Sequence, residues 1–445
     1  MKILFVSLGC DKNLIDTEMM LGMLTDKGYF ITNDENEADV VVINTCCFIN
    51  DAKEESINTI LEMAELKKSG KMKALLVAGC LAQRYKEEIQ EEIPEVDAII
   101  GTTAIDSIVE ALEEIFTGKK QNHIEDINRK PVYDKKRMVT TGGHFAYLKI
   151  AEGCDKHCSY CIIPKVRGNY RSIPMESLIK EAKQLVEFGA KELILVAQET
   201  TLYGKDLYGK KSLPELLHKL CEIEGLYWIR ILYCYPEEIT DELIETIRTE
   251  EKICNYLDIP IQHASDRILK RMGRRTNQQE LRDMVAKLRE AIPDICLRTT
   301  LITGFPGETQ EDHEELLAFV DEMEFDRLGV FTYSSEEDTP AATFSEQVED
   351  EIKTDRQADI MELQQEIAFE KAEDMIGRTV LAMIEGKVPD EHAYVARTYK
   401  DAPNVDGFVF IQTSEELMTG DFVRVKITGS FEYDLIGEID YEFTE

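Results

Sequence analysis

The stretch AYLKIAEGCDKHCSYC, Ala146 to Cys161, decides how this chain is read. It begins as an apolar strand run, breaks at Gly153, and enters a loop holding Cys154, Cys158 and Cys161 in the spacing C-x3-C-x2-C. Three thiols in one short loop directly after a strand can wrap a single metal centre, and thiolate softness selects iron–sulfur or zinc. A 4Fe-4S cube takes four ligands, so three cysteines leave one iron open to a chelating molecule. The alternative is a zinc site that borrows a fourth ligand such as His157, but no second C-x2-C or paired His follows.

Five further runs continue the pattern: ELILVA (192–197), LYWIRIL (226–232), YLDIPI (256–261), ICLRTTLI (295–302) and RLGVFTY (327–333). With AYLKIA (146–151) they predict a partial (β/α)6 barrel, whose active face lies at the carboxyl ends of its strands. Gln198 and Glu199 end one strand. LITGFPGET (301–309) ends another in a Gly/Pro loop, with Thr309 capping a helix whose third position is Asp312.

The tetrapeptide GCDK occurs once more, at Gly9 to Lys12. Around it, KILFVSL, VVVIN (40–44), ALLVAG (74–79) and DAIIG (97–101) alternate with helical patterns over Ile15–Lys27, Asp51–Lys68 and from Ala82. This predicts a doubly wound parallel α/β domain over residues 1–117. The carboxyl ends of such strands share one edge, so Cys10, Cys46 and Cys80, each ending a strand, converge there. Two readings stay open: a second metal site with one open position, or three buried cysteines acting as small hydrophobes. Cys47 should point away from its neighbour and is read as structural. Cys221, Cys234, Cys254 and Cys296 are scattered and read as core. A polar linker spans 118–139, and the barrel domain spans 140–375, closing on a helix with Ile360, Leu363 and Ile367 on one face. Over 376–445 short alternating strands predict a small antiparallel β-barrel.

Composition narrows the class. The 445 residues are 43% hydrophobic and contain no run of the ~18 apolar residues that suggests a membrane span. The start, MKILFVSLGC, is too short in its apolar run for a signal peptide, so the expected location is cytoplasmic. A net charge of −36 disfavours phosphate backbones and anionic membranes and suits a basic partner. Eleven cysteines in a reducing compartment argue for metal or redox chemistry over disulfides. Two local basic patches, KVRGNYR (165–171) and LKRMGRR (269–275), either grip a carboxylate of cofactor or substrate or are solvated surface.

SLGCDKNLIDTE (7–18), NTCCFI (44–49), AEGCDKHCSYCIIPKVRGNYRS (151–172), AQETTLYGKD (197–206), YCYPEEI (233–239), PIQHASDRILKRMGRR (260–275) and LITGFPGET (301–309) together resemble the methylthiotransferase family of radical S-adenosylmethionine enzymes. The resemblance spans all three parts of the chain and implies that the last is a TRAM domain, OB-like in fold. It implies a 4Fe-4S cluster on Cys154, Cys158 and Cys161 that binds S-adenosylmethionine (SAM) and cleaves it to a 5′-deoxyadenosyl radical. It also implies an auxiliary 4Fe-4S cluster on Cys10, Cys46 and Cys80 that carries the sulfur, while a second SAM gives the methyl group. The cofactors own that chemistry; the protein positions and shields them. SAM contacts are expected from Tyr160, Gln198, Glu199, Thr303, Gly304, Pro306 and Gly307.

AQETTLYG and YCYPEE are similar to the branch that acts on the β-carbon of an aspartate in the twelfth small-subunit (30S) ribosomal protein, giving β-methylthioaspartate. The implied partners are that basic protein, free or in the small subunit, and an electron donor such as a flavodoxin or ferredoxin. The expected state is a monomer, because no interaction segment stands out. The alternative is a relative that methylthiolates C2 of a tRNA adenosine. Residues 376–445 hold six Lys/Arg against fourteen Asp/Glu, a net of −8, whereas an RNA-gripping barrel should be basic. One departure is Cys47, where the family pattern has Gly; Cys46 keeps its position. Readings outside the family, an iron–sulfur electron carrier or a metal-stapled binding protein, do not need the Gly-rich loops at the strand ends.

Overall fold

The computed structural model describes residues 1–118, 122–389 and 391–441. The first sheet is wholly parallel in the order β2-β1-β3-β4-β5-β6: β1 (Lys2–Ser7), β2 (Phe30–Ile31), β3 (Val40–Thr45), β4 (Ala74–Gly79), β5 (Ala98–Ile100) and β6 (Asn122–His123). Every residue of β3 and β4 is buried, as expected of Val- and Ile-rich strands covered by helices on both faces. The chain leaves β1 toward β2 on one side and continues through β3 on the other, which makes the β1/β3 boundary the topological switch point. β2 and β6 are only two residues long, too short for any periodicity to announce them.

β6 falls in the stretch read as a linker, and residues 137–138 of that stretch are tied down as well. Met138 donates its N–H to Glu18 O at 3.0 Å, and Arg137 pairs with Glu18 and, at 2.9 Å, with Glu181. Residues 122–140 thus strap the first part of the chain to the second.

The second sheet is parallel, ordered β14-β13-β12-β11-β10-β7. Its strands are β7 (Phe145–Lys149), β10 (Glu192–Val196), β11 (Trp228–Ile231), β12 (Ile253–Asp258), β13 (Cys296–Thr303) and β14 (Arg327–Thr332). Between β7 and β10 a short hairpin, β8 (Ala151–Glu152) with β9 (Arg171–Ser172), brackets the cysteine loop. β7 and β14 are not hydrogen-bonded to each other, so the sheet is an open six-strand barrel. Thr309 and Asp312 make the expected capping box at the helix Gln310–Met323.

The final barrel closes through β15 (Thr379–Lys387), β16 (Ala393–Thr398), β17 (Val409–Gln412), β19 (Asp434–Ile439) and β18 (Phe422–Phe431). Four of its seams are antiparallel, but β17 and β19 pair in parallel, a departure from the purely antiparallel barrel expected. Alternating side chains look the same in either direction; only the connection decides it.

One core cluster is common to all three parts. It joins Ile15 and Met19 of the first, Tyr147, Ile194 and Tyr256 of the open barrel, and Met383 and Ala402 of the last. An ion ladder docks the C-terminal barrel: fully buried Glu192 pairs with fully buried Arg230 at 2.7 Å and Arg397 at 2.8 Å, and Arg397 with the half-buried Glu385 at 2.7 Å. Removing one member of such a ladder costs about 3–5 kcal/mol, because its partner stays buried and uncompensated.

Candidate functional site

β1, β3 and β4 lie side by side, and each delivers a cysteine at its carboxyl end. Cys10 caps the helix Asp11–Asp26, Cys46 follows β3 directly, and Cys80 opens the helix Cys80–Arg84. Cys10 is exposed; Cys46 and Cys80 are buried. Gly9 (φ +87°) and Gly79 (φ +92°) sit in the left-handed region, which only glycine enters without strain. A Cβ on Gly9 would lie 2.6 Å from Cys46 Cβ, so the turn before one cysteine must be bare for the next to approach. Asn13 staples the turns together, its Nδ2 donating to Leu8 O and Thr45 O at 2.9 Å each. Burial, and then the neighbouring Cys80 thiol, pushes Cys46 up to about 12; Cys10 adds to the shift. The three sulfurs therefore feel one another.

The second triad sits in the loop after β8. Gly153 (φ +80°) precedes Cys154, and a Cβ there would fall 2.1 Å from Asn169 O. Cys154 and Cys158 are buried and Cys161 half-buried. Burial raises Cys154 to about 11, with Cys158 adding to it, and burial followed by Cys158 and Cys154 raises Cys161. His157 is exposed, unlike Cys154 and Cys158. Among the described residues no three His, Cys, Asp or Glu side chains close on a single ion. The donor set, three thiolates on one glycine-hinged loop, fits an iron–sulfur cube with one iron left open.

The residues expected to touch SAM divide. Tyr160 is edge-on to Phe305, with ring centroids 6.5 Å apart, and feels the Cys158 and Cys161 sulfurs. Glu199 is fully buried; one carboxylate oxygen bonds Thr201, and the other has no hydrogen-bond partner and lies 3.8 Å from Lys156 Nζ. Burial raises this carboxyl to about 7. Gln198 is turned onto the protein itself, accepting from Gly153 N at 2.9 Å and donating to Glu152 at 3.0 Å, and so holds the turn before Cys154. Thr303 donates to Lys353 O at 3.2 Å, and Gly304 is covered by the Lys353 side chain. Pro306 O accepts from Arg271 Nε at 3.1 Å, and Gly307 lies against the same guanidinium. Of this loop it is Phe305, between them, that reaches Tyr160.

The basic patches are not free surface throughout. Arg167 is 1% exposed and donates to Asp16 at 2.7 Å, to Glu152 at 3.3 Å, and from Nε to Cys80 Sγ at 3.3 Å. It grips carboxylates, but the protein's own. Lys149 joins this buried group through Glu152 at 2.9 Å and Asp16 at 2.5 Å. Burial opposes the Glu152 charge, yet Lys149 and then Arg167 hold it down to about 2. One network thus runs from Cys80 to Glu152, two residues before Cys154.

In the second patch Arg274 is buried over the Tyr235 ring at 4.3 Å, bonds Pro260 O at 2.8 Å, and keeps Nε and Nη1 without a hydrogen-bond partner among the described residues. Tyr235 OH lies 3.7 Å from Cys158 Sγ. Arg274 lies in the patch read as a possible carboxylate grip, whereas Tyr233 and Tyr235 carry no such reading, because only the fold brings them to the cysteines. Their one signal in the sequence is their place just after the strand run 226–232. Cys47 is fully buried with Ile60 and Met63; Cys234, Cys254 and Cys296 are also buried, and Cys221 is half-buried.

No helix among the described residues is long and apolar enough to cross a membrane. Three family models match: uncharacterized protein family UPF0004 over residues 2–101, the radical SAM superfamily over 148–320, and the TRAM domain over 376–439. In solved structures the fold is similar to the radical S-adenosylmethionine methyltransferase TsrM from Kitasatospora setae. The TM-score is 0.54 at 14% identity, over 87% of this chain and 79% of that one. Among curated proteins, the ribosomal protein uS12 methylthiotransferase RimO of Lachnoclostridium phytofermentans is 63% identical over 98% of this chain and 99% of its own. The protein of that name from Geobacter sulfurreducens is 50% identical over 98% of each. At such identity along the whole length, with the cysteine loop on an open radical SAM barrel, the chain belongs to the RimO family of methylthiotransferases, radical SAM enzymes with a C-terminal TRAM domain.

Proposed function

We propose that this methylthiotransferase acts on ribosomal protein uS12, at the β-carbon of an aspartate, and that it holds two 4Fe-4S clusters. Cys154, Cys158 and Cys161 would hold the one that takes SAM; Cys10, Cys46 and Cys80 would hold the auxiliary one. The observation that carries this reading is the pair of glycine-hinged cysteine triads joined by the buried network of Arg167, Asp16, Glu152 and Lys149. Bound there, the two clusters and SAM supply reductive SAM cleavage, sulfur and methyl.

The chain's own residues bind and shield. Arg274 offers two buried N–H groups without a partner, the complement of a SAM carboxylate. Glu199 offers a buried oxygen that accepts no hydrogen bond among the described residues, with only Lys156 Nζ near it at 3.8 Å, the complement of its ammonium. Tyr160, Phe305 and Tyr235 wall the Cys158 side against water. Gln198 and Gly153 fix the Cys154 turn, and Asn13 and Gly9 fix the first triad.

The net charge of −8 over residues 376–445, in a chain of net −36, favours a basic protein substrate over tRNA. A flavodoxin or ferredoxin is the proposed electron donor, the cytoplasm the proposed location, and a monomer the proposed state. The test is anaerobically reconstituted enzyme with SAM, reductant, sulfide and either uS12 or tRNA. Methylthiolated aspartate in uS12, with about eight irons per chain, is expected. Product on tRNA alone, or about four irons, would overturn the substrate or the cluster count.

A further inference from the structure

The two GCDK stretches each end in a lysine, and the two lysines are placed alike but partnered differently. Lys156 lies 4.9 Å over the Tyr235 ring and is surrounded by acidic side chains: Glu238 at 2.5 Å, Glu237 at 3.1 Å and Glu199 at 3.8 Å. Lys12 lies 3.3 Å over the Tyr233 ring, is 6% exposed, and has no hydrogen bond or ion pair among the described residues. The acid nearest in sequence, Asp11, instead accepts from Tyr233 OH at 3.3 Å. The side chain is largely buried, but its Nζ is not among the groups sealed from solvent: it meets a ring face and no anion, which compensates the charge only in part and leaves it within reach of an incoming group. The fold gives Lys156 three carboxylates and leaves Lys12 to a ligand.

The surroundings define that ligand. Lys12 is in the first turn of the helix Asp11–Asp26, whose positive end and uncapped N–H groups also favour an anion. It is two residues from Cys10. Tyr233, beneath it, is held at φ +61°, a strained conformation for a bulky side chain, and Tyr235, two residues on, touches Cys158. Lys12 therefore sits between the two triads, where the reacting residue of the substrate must enter. Resting on the reading above, in which that residue is an aspartate, we propose that Lys12 binds its side-chain carboxylate. Anchoring the carboxylate fixes which face of the adjacent β-carbon is presented and selects aspartate over asparagine.

The test compares binding of purified uS12, and of uS12 whose modified aspartate is replaced by asparagine, to the reconstituted full-length enzyme. Wild-type enzyme should bind the aspartate form about 10- to 100-fold more tightly, the range for a hydrogen bond to a charged group. In Lys12→Met that preference should vanish through weakened binding of the aspartate form alone; Lys12→Arg should keep part of it. Iron content and SAM affinity should stay at wild-type values. Equal binding of the two substrates by wild-type enzyme overturns the proposal without any variant. So does a preference that survives in Lys12→Met, or a loss confined to SAM, which would make Lys12 a cofactor ligand. Failure of wild-type enzyme to bind or modify uS12 at all would instead refute the substrate reading and take the proposal with it.

Discussion

The two cysteine sites solve one problem in opposite ways. The barrel site is contiguous: one loop supplies Cys154, Cys158 and Cys161, and its fold neighbours only shape it. The first site is dispersed: Cys10, Cys46 and Cys80 arrive on three strands, and nothing but sheet order brings them together. Both still use a glycine with positive φ just before a cysteine, at Gly9, Gly79 and Gly153, and both place a lysine over a tyrosine of the loop after β11. They differ in how that lysine is partnered. The barrel site closes its lysine with carboxylates, whereas the dispersed site leaves Lys12 open. In the barrel site Lys156 is part of the frame and it is Arg274 and Glu199 that keep groups over for SAM, whereas in the dispersed site the group left over is Lys12.

The sharpest way to break this comparison is to remove one cysteine from each side. Cys158→Ala and Cys10→Ala should each bring iron down from about eight to about four per chain and abolish methylthiolated product. Only Cys158→Ala should also stop formation of 5′-deoxyadenosine, measured by chromatography. Product from Cys10→Ala would end the division of labour. Next in size is Arg167→Met, which removes the cation joining the two sides and leaves Asp16 and Glu152 buried with only Lys149. A loss of about 3–5 kcal/mol in urea unfolding is expected. Lys165→Met, two residues away and exposed, should change stability by under about 0.5 kcal/mol.

The same contrast explains what was legible in the sequence. The loop site could be read because its spacing is local. The dispersed site could be read because β1, β3 and β4 are apolar runs whose carboxyl ends must share an edge. Arg167 could not be read as interior, since a Lys/Arg-rich heptad looks the same whether it faces water or buried carboxylates. Gln198 ends a strand on the active face as expected, yet its amide is used on Glu152 and Gly153, a choice set by neighbours 45 residues away. The open state of Lys12 is least legible of all, because lacking a partner is a property of everything around a residue.

Glu199 sharpens the barrel side. Its carboxyl is raised to about 7 by burial, so between the ordinary carboxylate range and about pH 7 the folded chain holds a proton that the unfolded chain has lost. Stability must then fall as pH rises through that window. Without SAM, Glu199→Gln should match wild type near pH 4 and exceed it by up to about 3 kcal/mol above pH 7. Equal pH profiles would mean that Lys156 already holds the carboxylate ionised. Glu152, kept near 2 by Lys149 and Arg167, should add nothing in this range.

The smallest effects separate backbone from contact. Gly9 and Gly28 share φ +87°, but a Cβ on Gly28 meets nothing within 4 Å, whereas on Gly9 it meets Cys46. Gly28→Ala should cost only the left-handed backbone, about 1–2 kcal/mol, with full iron content. Gly9→Ala bears the same backbone cost and must also push Cys46 aside, so it should lower iron toward about four per chain while 5′-deoxyadenosine still forms. Gly153→Ala, aimed at Asn169 O, should do the reverse. If Gly9→Ala behaved like Gly28→Ala, with stability reduced but iron intact, the bare turn would be a folding device only. The close approach of Cys10 and Cys46 would then owe nothing to the glycine between β1 and the first cysteine.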